Sequence, residues 1–514
     1  MKRILCLLLC GLLLTGCVTE QGEYIPTGDA LLQEGEEITP TEAPVADQFL
    51  VLSYYPTASL NPYTCNNYLN RVLFSLVYQG LFAVSADYQT VPILCSQLKV
   101  SPDMRTYTCY LANATFSDGS KVTAADVVAS YEAAREKAVY KGRFSHLTEV
   151  TVSEDGGVRF SLDTAHENFA ILLDVPIVKA EDVELDRPTG TGPYFYEENA
   201  AGLRLRRRET WWCNATLPVR ASSIPLTQVS SVLETRDAFE FSDVGLACAD
   251  PCSDSFVEYR CDYELWNCEN GTFLYLGCNM ESKVFSNATI RSALTYAIDR
   301  QSLADTYYRG FTLPASLPAS PASPYYSPQL AARYTFDQAK FAQAISASGY
   351  IGMEIEFLVN ADDTMRVRVA RQIAQILTDS GLKVTMKEFS NRQYQENLLY
   401  GTYDLYLGQT RLSPNMDLSH FFRYYGNLRH GGMTDSAFYA LCQQALANSG
   451  NYYNLHETVM DDGRLVPILF HNYSIHATRG LLPGLTPARD NVFYYDLGTT
   501  VQDILVEEQG GTQE

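Results

Sequence analysis

Between Glu354 and Leu407 the spacing of apolar residues switches repeatedly between two periods, and few architectures accept that pattern. Ile355, Phe357 and Val359 alternate with Glu354, Glu356 and Leu358, the two-residue period of a strand. Ala370, Ile373 and Leu377 then fall at helical spacing, and Gly381 supplies a residue suited to a helix C-terminus. Leu382, Val384 and Met386 alternate with Lys383, Thr385 and Lys387, and after a second helical piece Asp404 to Leu407 reads as a third short strand. Strand, helix, strand, helix, strand implies βαβ units on a largely parallel sheet, so the chain is expected to be α/β.

Two further segments agree. Thr123 followed by Asp126 has the form of a capping box, and Val127, Tyr131, Ala134 and Ala138 then share one helical face. Asn287 can cap a helix that buries Ile290, Leu294, Ala297 and Ile298. Pro314 to Pro328, rich in Pro, Ser and Ala, is expected to be an extended surface loop. A chain of 514 residues, 46% hydrophobic, exceeds what one core usually serves, so two or more lobes are expected.

The amino terminus addresses location. Lys2 and Arg3 precede an apolar run from Ile4 to Leu14, followed by Leu14-Thr15-Gly16-Cys17. Charge, apolar core and small residues in that order form a secretory leader, and the run is too short for a stable membrane span. A Cys directly after Gly16 resembles a lipobox, which makes residues 1–16 a lipoprotein signal peptide and Cys17 the acylated first residue of the mature chain. Several acyl chains on one residue anchor durably where one would not. Val18 to Ala46 carries seven carboxylates, three prolines and no Lys or Arg. Such a stretch cannot bury enough apolar surface to offset its ordering entropy, so residues 17–48 are expected to be the lipidated Cys and an acidic tether, with the fold starting near Phe49.

Charge and residue chemistry exclude several classes. The formal net charge is −22, and loss of Lys2 and Arg3 with the leader makes the remainder more negative still. Nucleic acid and anionic lipid surfaces are therefore disfavoured as partners. Setting Cys6, Cys10 and Cys17 aside leaves ten cysteines, and in an oxidising compartment some are expected to pair. Cys248 with Cys252 and Cys261 with Cys268 are local options, while Cys65, Cys95 and Cys109 could pair elsewhere. The same Cys248, Cys252, Cys261 and Cys268 lack the spacing of a zinc ribbon. The seven histidines form no H-E-x-x-H motif, and the chain has no G-x-S-x-G elbow and no P-loop. A secreted hydrolase stays open only as a rival without a motif, and no cofactor and no metal are expected.

A series of short motifs then runs along the chain. Leu60-Asn61-Pro62 is followed by Val77-Tyr78-Gln79-Gly80-Leu81, by Ala114-Thr115-Phe116-Ser117-Asp118-Gly119 with Thr123-Ala124-Ala125-Asp126-Val127-Val128, and by Gly190-Thr191-Gly192-Pro193-Tyr194 with Trp212 beyond it. Leu274 to Asn279, Ile290 to Arg300, Phe336-Asp337 to Gly349-Tyr350, and Ala370 to Gly381 continue the order. In this order, from about Phe49 to about Leu497, the chain resembles the large peptide/nickel class of bacterial extracellular solute-binding proteins. The motifs themselves read as scaffold. Gly119 and Gly192 suit tight turns, Pro193 a rigid corner, and Tyr194, Trp212 and Tyr296 the core.

The resemblance implies a two-lobe periplasmic-binding-protein-like fold with an extra subdomain on the first lobe. The first lobe would take residues 49–271 and 472–506, with the extra subdomain near 66–185, and the second lobe 272–471. Crossing strands would lie at Phe273 to Asn279 and Val466 to Tyr473. It further implies a monomer, lipid-anchored on the extracytoplasmic face, that captures a peptide or peptide-sized solute between its lobes for an ABC transporter permease and ATPase complex. A sensor lipoprotein without transport, or a nickel or metal-chelate binder, are the alternatives. The site is expected between the loop after Leu60 and the segment Gln409 to Phe422. Asn66 and Tyr68 match positions that contact a peptide backbone in similar proteins, and both carry suitable hydrogen-bonding groups. Where peptide binders place a Trp and an Asp on the opposite lobe, Arg411 and Pro414 stand here, with Asp417 the nearest carboxylate. Either Asp417 takes a ligand ammonium, or Arg411 grips an anionic group. His471, on the second crossing strand, is a further expected contact.

Overall fold

A computed structural model gives the structure of the protein and describes residues 50–140, 142–213, 221–489 and 491–495. The signal peptide, Cys17, the tether and residues 496–506 lie outside the described residues.

Along the chain, strand β1 is Leu52–Tyr54. Strands β2 (Cys95–Val100), β3 (Thr106–Leu111), β4 (Leu147–Val152) and β5 (Val158–Leu162) form an antiparallel sheet in the order β2-β3-β5-β4, with helix α1 (Ala124–Glu136) inserted between β3 and β4. Strands β6 (Tyr194–Asn199), β7 (Gly202–Arg207) and β8 (Ser223–Gln228) join β1 in a second sheet, β1-β8-β7-β6. The large sheet takes β9 (Leu246–Ala249), β10 (Glu264–Cys278), β11 (Thr312–Pro314), β12 (Glu354–Asn360), β13 (Lys383–Phe389), β14 (Leu405–Arg411) and β15 (Leu465–Ala477). Its order is β9-β15-β10-β14-β12-β13, with β11 on β15. No helix among the described residues is long and apolar enough to cross a membrane.

The expected βαβ pair is present. Helices α4 (Thr364–Asp379) and α5 (Asn391–Tyr400) follow α2 (Ala288–Ala293) and α3 (Arg300–Tyr308) and connect β12 to β13 and β13 to β14. β12 pairs in parallel with both β13 and β14. Helix α4 is capped by Asp363, buries Met365, Val369, Ala370, Ile373 and Leu377, and is closed by Gly381 with φ 109°. Leu358 is buried as well as Ile355, Phe357 and Val359, so β12 is covered on both faces, as a parallel strand usually is. The sheet is nevertheless mixed rather than largely parallel. β14, β10, β15 and β9 pair antiparallel, because two long strands return through the sheet instead of crossing over by helices.

Two other expectations change in detail. The capping box at Thr123 forms, its backbone N–H donating to Asp126 Oδ2 at 2.9 Å, but the helix stops at Glu136, and Ala138 begins a short 3-10 turn to Tyr140. Pro314 to Pro328 is not a surface loop, for Ala315, Leu317, Ala319 and Ser320 are each fully buried. Small apolar side chains and few free N–H donors let an extended segment pack against the body at little polar cost.

The motif residues converge on one another. Ser117 N–H donates to Gly190 O at 2.9 Å, and Gly192 N–H to Val77 O at 2.9 Å. A Cβ at Gly192 would stand 2.6 Å from the Val77 carbonyl carbon, so only glycine admits that contact. Arg208 closes the cluster by donating to the carbonyls of Thr115 at 3.0 Å and Phe116 at 2.8 Å. Tyr194 is buried, whereas Trp212 and Tyr296 are half-buried, Trp212 donating to Gln79 Oε1 at 2.8 Å.

All ten described cysteines are free thiols, and nine are buried, against the expectation of disulfides. Cys248 belongs to one core cluster and Cys252 to another, so closeness in sequence does not bring them to one place. Cys109 and Cys95 do lie side by side across β2 and β3, and the neighbouring thiol, with burial, raises the Cys109 pKa.

Candidate functional site

The largest part of the site is a cavity of about 480 Å³, inside the range of small-molecule pockets. Four stretches supply most of its wall, with Asn427 beside them. The chain around the short helix Tyr68–Arg71 brings Cys65, Asn66 and Arg71. The turn that ends α1 brings Tyr140 and Arg143. The end of β14 brings Thr410, Arg411 and Ser413, and β15 with the segment beyond it brings Tyr473 and Arg489.

An interruption in the sheet makes room for this wall. The β10–β15 register shifts between Glu269 and Phe273. There Gly271 adopts φ 72°, and a Cβ on it would stand 2.1 Å from Arg489 Nη2. Arg489 thereby passes Gly271 and donates to the carbonyl of Leu412, tying the segment after β15 to the end of β14. Beneath it Glu269 accepts from Tyr88 and Ser320; burial raises its carboxyl pKa, and the Arg489 charge and these hydrogen bonds oppose that rise.

The guanidinium groups crowd one another. Arg143 pairs with Asp174, behind the wall, and lies 5.7 Å from the Tyr140 ring centre. Its pKa is lowered to about 10, first by burial, with Arg489 and Arg71 adding repulsion. Arg411 is exposed to solvent within the cavity. Desolvation by the surrounding walls, then Arg71, Arg489 and Arg143, lowers its pKa from the usual arginine value, with Tyr473 opposing. Burial pushes the Tyr473 hydroxyl up to about 12, against the pull of Arg411 and Arg71.

Of the residues expected from sequence, Asn66 and Arg411 meet in this cavity. Tyr68 stands one layer back, stacked on Tyr473 with ring centres 4.9 Å apart, so it supports the wall rather than forming it. Asp417 does not line it. Its carboxylate accepts from Ser419 N–H at 2.8 Å and Ser419 Oγ at 2.6 Å, and lies 3.8 Å from His146 Nε2. His471 is also elsewhere, buried 5.2 Å from the Tyr308 ring, and burial lowers its pKa to about 4. Two residues apart on a regular strand would share a face, but the β10–β15 register is interrupted at His471, which pairs instead with Thr312 of β11. Arg71, Arg143 and Arg489 were missed, since each is a lone basic residue in its own segment and nothing local distinguishes it from a solvated charge.

Among the described residues no group of three or more His, Cys, Asp or Glu side chains is placed to hold a metal. The arrangement offers guanidinium, amide and hydroxyl groups converging on one open cavity, which is binding chemistry.

The mixed α/β fold is that of the two-lobe periplasmic-binding proteins. The chain belongs to the bacterial extracellular solute-binding proteins, family 5, whose middle-region model matches residues 89–431. It is 25% identical over 312 residues to the glutathione-binding protein GsiB of Salmonella typhimurium, a match covering 57% of this chain and 59% of that protein. GsiB of Escherichia coli is 24% identical over 311 residues, with the same coverage. The chain thus spans about 59% of the length of the curated relatives it matches. Among solved structures, the ABC transporter substrate binding protein CtaP from Listeria monocytogenes superposes with a TM-score of 0.68 at 19% identity, covering 83% of this chain and 93% of that one. NikA from Brucella suis, in complex with Fe(III)-EDTA, superposes with a TM-score of 0.67 at 18% identity, covering 87% and 99%. At these identities the structural likeness concerns the fold alone.

Proposed function

We propose that the protein is the extracytoplasmic substrate-binding lipoprotein of an ABC importer, and that it captures a peptide-sized solute in the cavity walled by Asn66, Arg411 and Tyr473. The observation that carries this is the convergence of residues from distant parts of the chain on one open cavity of about 480 Å³. Family membership supports a binding rather than a catalytic role. In this reading residues 49–271 and 472–506 act as one lobe and 272–471 as the other, the lobes closing on the solute by a hinge in β10 and β15. The permease and ATPase complex is its partner, and the protein acts as a monomer.

Two experiments test it. Mass spectrometry of gently purified protein is expected to release one dominant small solute, and adding that solute back is expected to raise the melting temperature and compact the particle in solution scattering. Protein that releases nothing and shifts with none of a broad panel of solutes would end the reading. The anchor is tested separately. Cys17→Ala is expected to move the protein from the membrane fraction to the soluble fraction or to stall its processing, and a Cys17→Ala protein that stays membrane-bound with a normal mature amino terminus would refute lipidation there.

A further inference from the structure

The cavity adjoins a seam where two distant parts of the chain are bonded to each other. Glu167 N–H donates to Leu446 O at 2.7 Å, and the Glu167 carboxylate accepts from Ser449 N–H at 2.5 Å. Asn415 Nδ2 donates to His166 Nε2 at 3.4 Å, and His420 Nε2 donates to Gly142 O at 3.1 Å. His146 is buried within this seam between two carboxylates. Its Nδ1 lies 2.9 Å from Asp163 Oδ1 on its own side, and its Nε2 lies 3.8 Å from Asp417 Oδ2 on the other. A neutral imidazole has one N–H, so it serves only one of these carboxylates. The shorter contact takes the proton at Nδ1, and Nε2 is left buried without a hydrogen-bond partner, its lone pair toward an acceptor. Asp417 is not free to turn aside, because Ser419 N–H and Oγ hold its other oxygen.

The charged and titratable groups around the pair do not replace it. On the His146 side Arg135 donates to Leu147 O and to Glu132, and Arg143 pairs with Asp174. Burial lowers the His166 pKa to about 4, so the ring stays neutral, as its bond from Asn415 requires. On the Asp417 side burial, then Arg423, lowers the pKa of His420. Arg423 lies against the His420 ring at 3.3 Å, and its charge works against a further cation here. Tyr439, Cys442 and Tyr452, also near Asp417, stay neutral, burial raising the pKa of each.

Resting on the reading that the cavity holds its solute between two lobes, with residues 142–168 on one and 415–449 on the other, we propose that His146 and Asp417 form a pH-operated latch between the two walls of the cavity. Protonation of His146 lets it donate to both carboxylates at once, and the contact with Asp417 tightens into a charged hydrogen bond of about 2.8 Å. Histidine is the side chain suited to this, since its charge changes between about pH 5 and 8. The latch acts on the cavity because the cavity's own walls carry its parts. Arg143 lines the cavity three residues before His146, and Pro414 three residues before Asp417. Mild acid therefore holds the walls together and slows solute release, and neutral pH lets them part.

Hydrogen exchange of the whole protein in detergent, read by mass spectrometry and corrected for the intrinsic pH dependence of exchange, tests the latch without any solute. The amides of Glu167 and Ser449 report on the seam, since both donate across it. Their protection is expected to rise about tenfold from pH 7.5 to pH 5.5. His146→Gln keeps a neutral donor for Asp163, and Asp417→Asn keeps an acceptor for Ser419, so each removes the switch and little else. Both are expected to abolish the rise while the unfolding transition stays cooperative and β12 and β13 exchange as in the parent. The parent's own comparison between the two pH values stands without either variant. Two outcomes overturn the proposal: seam protection that does not rise in the parent, or a rise of equal size in both variants. In either case a solute that co-purifies and restabilises the protein would still uphold solute capture, so the two readings fail separately.

Discussion

Arg300→Leu is expected to lower the unfolding free energy by about 3–5 kcal/mol, the scale seen when a buried charged donor is removed from its acceptors. Arg300 is the first residue of α3 and is buried. Its Nε donates to Ala315 O at 2.9 Å and Pro467 O at 3.0 Å. Nη1 reaches the carbonyls of Thr295, Ile298 and Tyr334, and Nη2 donates to Thr295 Oγ1 at 2.8 Å. No carboxylate supplies a counter-charge in this set, so the group acts as a five-carbonyl clasp among β15, the buried segment after β11, and the turn that ends at Ile298. Burial lowers its pKa to about 10, still well above neutrality, so the clasp stays charged in ordinary buffers. Leucine would fill most of the volume and leave the carbonyls without donors. Urea unfolding followed by circular dichroism measures the loss, and a loss below about 1 kcal/mol would show that water replaces the guanidinium freely.

Acid is expected to destabilise the protein in the window from about pH 6.5 down to about pH 4. His166, His471 and His476 have pKa values lowered to about 4, and His456 to about 3, in each case chiefly by burial. An unfolded histidine titrates near 6.5. Between the two values the unfolded chain binds more protons than the folded one, so stability is complete above about pH 6.5 and falls as pH drops, by at most about 1.4 kcal/mol per pH unit for each histidine. Two acids oppose this. Burial raises Asp250 to about 6 and also raises Glu269, and both favour the folded state as pH falls through the same range. Four histidines against two acids leave a net loss. Melting temperatures at pH 7.5, 6 and 5 are expected to decline in that order. His456 finds no hydrogen-bond partner for either ring nitrogen and packs near Tyr452, so His456→Phe is expected to flatten the profile. A wild-type melting temperature that is level or rising toward pH 5 would contradict this account.

Much of the scaffold was legible because its signals are local. The alternation at Ile355, Phe357 and Val359, the spacing of Ala370, Ile373 and Leu377, and the caps at Thr123 and Asn287 are each contained in a few residues, and the structure has them. The mixed character of the sheet was not legible, since pairing partners such as Leu246 and Ala477 lie in distant parts of the chain and no local pattern names them. Pro314 to Pro328 shows the opposite error, turn-like composition mistaken for exposure. The site divides the same way. Arg411 and Asn66 stood out by comparison with similar motifs, but proximity in sequence promoted Asp417, which turns away, and could not promote Arg489, which reaches the cavity only because Gly271 lets it pass.

The placing of β15 between β9 and β10 also bears on how the chain can be made. Both neighbours are synthesised long before Leu465 exists, and neither can satisfy its inner edge with the other, because a strand's width must be kept open between them. A chain emerging amino end first therefore carries two unpaired edges and the apolar faces of Phe273 and Leu274 until β15 arrives. Completion of this sheet waits for nearly the whole polypeptide, and a product cut short before Leu465 leaves β9 and β11 without the strand that each pairs with.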